Sequence, residues 1–290
     1  MGEYHANGHQ VFFKEKKRLI SLIVVFVLFL FALPCAEAYA YNAQRAIVVM
    51  DADSGELLYG ENQNLPMEIA STTKILTAIT VIENADIFMI TPIPKSAVGV
   101  EGSSIYLREG EKWRVLDLLY GLILRSGNDA AVALAEITSG SVNDFVKLMN
   151  ETAIKAGAKD STFTNPHGLH DKGHLCTAVD LAKITAYALK CPIFAEIAKT
   201  KTHRAIKEVS GQKETVVFYN KNKLLYSYPD AIGVKTGFTK HSGRCLVSAA
   251  EKDGRKLICV ALNVYDTYGV SKGLFDRFFV EREGDHAEIT

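Results

Sequence analysis

The sequence has little of what would place it in a special class of chain. Basic and acidic residues both number 33 in 290, so the net charge is zero. That balance excludes a strongly basic nucleic-acid binder. Cysteine is scarce, with five in all: Cys35, Cys176, Cys191, Cys245 and Cys259. So sparse a set cannot be a disulfide scaffold, and its spacing matches no common zinc pattern, so buried free thiols are expected. The one tryptophan, Trp113, reads as core or cleft wall rather than a ligand-stacking platform. No Pro- or Gly-rich linker, internal repeat or low-complexity stretch divides the chain. No apolar run reaches the roughly 20 residues that span a bilayer. The longest, Leu19 to Leu33, has fifteen.

What is present is ordinary globular material, 48% hydrophobic and 23% charged, enough for a full-sized core. The first forty residues differ. Lys14, Lys16, Lys17 and Arg18 precede the apolar run, Pro34 breaks it, and Ala36-Glu37-Ala38 and Ala38-Tyr39-Ala40 follow as small-x-small sites. That order predicts a secretory signal over residues 1–40, with an uncleaved anchor as the alternative. Residues 41–290 would then form the exported, extracytoplasmic domain, with 29 basic and 30 acidic residues. Membrane contact is expected only through the N-terminal segment.

Strand patterns lie at both ends of that domain. Ala46–Asp51 and Glu56–Tyr59 flank an Asp53-Ser54-Gly55 turn, and Thr215–Phe218, Leu246–Ala250 and Lys256–Leu262 come late. Asp253-Gly254 is a tight hairpin signal that would pair position 248 with 259, leaving Cys245 and Cys259 out of register for a disulfide. Helical patterns dominate from Ser71 to about Lys190, with Ser141/Asp144 and Thr177/Asp180 as capping pairs. Leu274, Phe275, Phe278 and Phe279 share one face of a terminal helix. This order predicts an α+β fold: an antiparallel sheet from both chain ends, with a helical subdomain inserted between its halves.

Three short motifs carry the chemistry. Ser71-Thr72-Thr73-Lys74 opens a helical segment, where positions i and i+3 share a face, so the amine can reach the hydroxyl. A desolvated lysine can act as the base that activates a serine. The Ser71 N–H, at a helix start, can donate to a developing oxyanion. Ser126-Gly127-Asn128 offers a second hydroxyl and an amide. Lys235-Thr236-Gly237 offers a cation and hydroxyl for a carboxylate, with a glycine that permits close approach. Each is weak alone. Their order is the S-x-x-K, S-D-N, K-T-G signature of class A β-lactamases and penicillin-binding proteins, with Gly127 in place of Asp.

The surrounding words Ala70–Thr77, Asn165-Pro-His-Gly-Leu169, Asn220–Leu225 and Gly233–Thr239 sharpen the match. The chain resembles the D-alanyl-D-alanine carboxypeptidases, low-molecular-mass penicillin-binding proteins of the S11 type, over roughly residues 44 to 281. The resemblance implies a β-lactamase/transpeptidase-like fold. Ser71 would be the acylated nucleophile, Lys74 its base, and Ser126 a proton carrier to the leaving group. Asn128 would bind the substrate peptide, and Lys235, Thr236 and Gly237 its terminal carboxylate. The backbone N–H groups of Ser71 and Phe238 would form the oxyanion hole. The implied partners are stem peptides ending in D-Ala-D-Ala and covalently inhibiting β-lactams, with no metal, cofactor or nucleic acid. Many members of the family carry a further β-rich domain and an amphipathic anchor, and neither is expected here.

Other readings compete. A class A β-lactamase deacylates with a glutamate in an E-x-x-x-N loop, and between residues 129 and 234 no Glu has Asn four positions later. A metal-binding protein could use His167, His170, His174 and Cys176. A non-catalytic wall-binding module would not need an intact nucleophile, base and carboxylate grip.

Overall fold

A computed structural model describes residues 44–287, with side chains to Val280. The leader signals, residues 1–40, lie outside the described residues. A five-stranded antiparallel sheet has the order β2-β1-β9-β8-β7. Its strands are β1 (Ala46–Asp51), β2 (Leu57–Glu61), β7 (Ala231–Thr239), β8 (Gly243–Lys252) and β9 (Arg255–Leu262). Both chain ends thus build one sheet, as the strand pattern predicts. All six residues of β1 are buried, because β1 lies inside the sheet and is covered on both faces. Asp253 and Gly254 both take positive φ, and the two-residue turn sets Ser248 opposite Cys259. Cys245 instead faces Gly237, and the four described cysteines are free thiols.

The insertion is mostly helical: α1 (Lys74–Asn84), α2 (Val115–Leu124), α3 (Asn128–Ser139), α4 (Val142–Lys155), α5 (Ala178–Leu189) and α6 (Pro192–Lys199). Ser141 and Thr177 cap α4 and α5 by accepting the backbone N–H groups of Asp144 and Asp180. Helix α1 is buried on every side from Lys74 to Val81, which makes it the central post of the molecule. Helices α2 to α6 surround it, and α5 and α6 also pack on the sheet. After α7 (Leu224–Ser227), the terminal helix α8 (Thr267–Ala287) covers the other sheet face. It does so with Phe275, Phe278 and Phe279 buried against Val49, Leu257 and Cys259.

One expectation needs correcting. The late segment around Thr215–Phe218 does not join the main sheet. It is part of β6 (Gln212–Tyr219), which pairs with β5 (Thr202–Val209) in a second sheet of order β3-β4-β5-β6. Strands β3 (Ile90–Pro92) and β4 (Lys112–Arg114) fall inside the stretch that reads as helical. They are three residues each, too short to show a period of two. Strand β5 buries only Ala205 fully, so its alternation is faint. Trp113 anchors this sheet, buried and stacked on Phe218 with ring centroids 6.2 Å apart.

Candidate active site

Ser71 lies in a 3-10 turn, Ala70–Thr73, that runs straight into α1, so Lys74 opens the helix one turn later. The Lys74 ammonium donates to Ser71 Oγ (3.0 Å), Asn128 Oδ1 (2.6 Å) and the His167 carbonyl (2.6 Å). None of these three partners is a carboxylate, and the side chain is fully buried. Burial, and then the charge of Lys235, hold its pKa well below the ordinary lysine value. A lysine so placed gives up its proton readily, and its lone pair then faces the serine hydroxyl.

Lys235 reaches inward from β7. Its ammonium donates to Ser126 Oγ (3.0 Å) and to the Thr236 carbonyl (2.8 Å). Burial, with help from Lys221, brings its pKa down to about 7. Ser126 sits between α2 and α3 at φ +63, a left-handed position that is uncommon for serine. The turn lets one three-residue segment serve both lysines, through Ser126 toward Lys235 and Asn128 toward Lys74.

The loop Asn165–Leu169 is the third support. Asn165 Oδ1 accepts the N–H of Gly168 at 2.7 Å, and Thr77 Oγ1 donates to the Pro166 carbonyl at 2.7 Å. The His167 carbonyl is thereby fixed over Lys74. Gly168 has φ +83, and a Cβ there would lie 1.9 Å from the Ala70 carbonyl. Only glycine lets this loop touch the Ser71 turn. Gly237 acts similarly from the other side: its Cβ would stand 3.2 Å from the Ser71 nitrogen. β7 therefore lies against the Ser71 backbone, and Phe238, largely exposed, follows it along the strand. A cavity of about 320 Å³ beside this strand is lined by Thr236, Phe238, Arg244 and Tyr268.

The structure thus brings Ser71, Lys74 and Asn128 into one hydrogen-bonded group and Ser126 with Lys235 into a second. Thr236 and Phe238 lie along the adjoining strand. Two functions escape the sequence. Asn128 holds Lys74, with Oδ1 on its ammonium and Nδ2 donating to the Glu101 carbonyl at 2.6 Å. Asp129, also buried, accepts the N–H groups of Ile105 and Leu107 and so fixes the loop that presents Glu101. Its place directly after Ser-Gly-Asn is the one local signal.

The four-residue metal cluster does not form. His174 accepts the Thr164 N–H on Nδ1, so its Nε2 carries the proton given to Thr73 Oγ1, 2.8 Å away. His167 Nδ1 accepts the Leu169 N–H, Cys176 is buried against Ser161, and His170 pairs with Glu68. Burial lowers both His167 and His174 to about 4, so both rings are neutral at pH 7.

A sequence profile described as D-alanyl-D-alanine carboxypeptidase matches residues 35–266. The chain belongs to the D-alanyl-D-alanine carboxypeptidase family. Similar carboxypeptidases of this family include DacF of Bacillus subtilis, 35% identical over 258 residues that cover 84% of this chain. The chain spans 65% of that relative's length. DacB2 of Mycobacterium tuberculosis is 34% identical, with 78% of this chain and 75% of the relative covered. Among solved structures, the Streptomyces K15 DD-transpeptidase superposes with a TM-score of 0.71 at 34% identity, over 74% of this chain and 88% of that one. The chain therefore has the β-lactamase/transpeptidase fold expected from the motif order.

Proposed function

We propose that this chain is an exported serine-type carboxypeptidase that removes the terminal D-alanine from peptidoglycan stem peptides. The observation that carries the reading is the buried Lys74 amine 3.0 Å from Ser71 Oγ, with no carboxylate among its three hydrogen-bond partners. In this reading residues 41–290 are the penicillin-binding catalytic domain. Residues 1–40 are its export signal, and the enzyme works outside the cytoplasmic membrane.

Lys235 and Thr236 hold the substrate carboxylate, and the remaining amide capacity of Asn128 meets the peptide. Neutral Lys74 takes the Ser71 proton as Oγ attacks the carbonyl carbon of the scissile D-Ala-D-Ala bond. The N–H groups of Ser71 and Phe238 bind the oxyanion, and Gly237, packed against the Ser71 nitrogen, brings the two segments together. The proton passes through Ser126 to the departing D-alanine amine, and water then hydrolyses the ester on Ser71. β-Lactams enter the same route, because they join a strained amide to a carboxylate.

Intact mass spectrometry of the chain incubated with benzylpenicillin tests this. One covalent equivalent, mapped to Ser71 and absent in Ser71→Ala, is expected. The same variant should release no D-alanine from a diacetyl-Lys-D-Ala-D-Ala peptide. An adduct on another residue would overturn the assignment, and rapid turnover of the penicillin would mark a β-lactamase instead.

A further inference from the structure

The histidine-rich segment that does not assemble as a cluster leaves one member, His170, in a different company. Its Nδ1 lies 2.8 Å from Glu68 Oε1, and its ring stacks on that of His241 with centroids 3.9 Å apart. One donor atom from each of Glu68, His170 and His241 falls within 4.8 Å of the other two. We propose that these three residues bind a divalent transition metal of the zinc class at the rim of the active-site cleft, with water completing the coordination.

The donor set selects the metal. Two imidazole nitrogens and one carboxylate oxygen suit Zn²⁺, whereas Mg²⁺ and Ca²⁺ favour all-oxygen shells. Bonds of about 2.0–2.1 Å in a tetrahedron place ligand atoms roughly 3.4 Å apart. Reaching that spacing requires the two exposed imidazoles to turn out of their stack and His170 to exchange its hydrogen bond with Glu68 for a bond to the metal. Glu68 is nine-tenths covered and already aimed at His170, so it is the fixed point of the site.

The three ligands come from three segments that meet nowhere else in sequence. Glu68 stands three residues before Ser71. His170 directly follows the loop whose His167 carbonyl holds Lys74. His241 sits in the turn between β7 and β8, two residues after the strand that carries Lys235. A metal would pin the nucleophile turn, the loop over the base and the carboxylate-grip strand to one another without entering the chemistry. None of its ligands belongs to the proposed catalytic set, so the site stands or falls separately from the acyl-transfer reading.

Titration of the chelator-treated full chain with ZnCl₂, read by calorimetry and thermal unfolding, tests the site. One equivalent is expected, with Tm raised by about 5–10 °C at a hundredfold excess over Kd. His241→Ala and Glu68→Gln should weaken binding by more than the roughly 10–100-fold that loss of an outer-shell partner costs, and abolish the Tm shift. Retained penicillin acylation in these variants shows that they are folded. The double variant His5→Ala, His9→Ala removes the leader histidines and should bind Zn²⁺ as the parent does. Co²⁺ in place of Zn²⁺ should give the visible bands of a tetrahedral ion. A Zn²⁺ equivalent that survives His241→Ala, or is lost with His5 and His9, overturns the proposal, as does the absence of any Tm shift.

Discussion

Two buried lysines with no carboxylate among their hydrogen-bond partners are costly, and each is tolerable only because it gives up its proton easily. They need opposite states for the proposed reaction: Lys74 neutral to accept a proton, Lys235 charged to grip a carboxylate. The charge on Lys235 helps by lowering Lys74. With Lys235 near 7, the free enzyme loses its carboxylate grip as pH rises past that value. KM for a peptide ending in a carboxylate should therefore rise about five- to tenfold per pH unit above 7. Esters that lack the carboxylate should show no such rise, and Lys235→Arg, a cation at all these pH values, should flatten the profile. A steady-state pH series on both substrates checks this. At this scale the Ser71–Lys74 pair was readable, because it needs only one helical turn. Asn128 was readable as a site residue, but its hold on Lys74, 54 residues away, was not, since no local pattern reports a contact made only by the fold.

Elements in this molecule are aimed at one another by glycines, and the cost of replacing them depends on what lies opposite. At Gly168 a methyl would collide with the Ala70 carbonyl beside the nucleophile, whereas at Gly211, also at positive φ, it would meet open space. Gly211→Ala should cost about 1–2 kcal/mol from its backbone alone. Gly168→Ala should add about 1–3 kcal/mol of overpacking and slow penicillin acylation at least tenfold, because the clash moves the Ser71 turn. Thermal unfolding and acylation rates of the two variants side by side decide it. The main sheet, the capped helices and the Phe-rich terminal helix could all be read from hydrophobic spacing and turn residues. The second sheet could not, because its strands are short or half-polar and draw their order from Trp113 and Phe218, which are far apart in sequence.

Across the whole molecule, neutral buried histidines tie stability to pH. Both His167 and His174 fall from 6.5 to about 4 on folding, so the unfolded chain binds protons in that window and the folded one does not. Stability is therefore complete above about 6.5 and is lost as pH falls toward 4, by about 3 kcal/mol for His174 alone. Urea unfolding at pH 7, 5.5 and 4 should show the decline, and His174→Gln should have a shallower slope although it starts lower. The closure of the main sheet by both chain ends has a further consequence in time. Val48 pairs with Val260, so the six buried residues of β1 have no partner on that edge until β9 has been made. A growing chain must carry that apolar edge unpaired until β9 has emerged, and the site cannot assemble before β7 to β9 arrive. Truncated products ending before β9 should accordingly be aggregation-prone and inert toward penicillin.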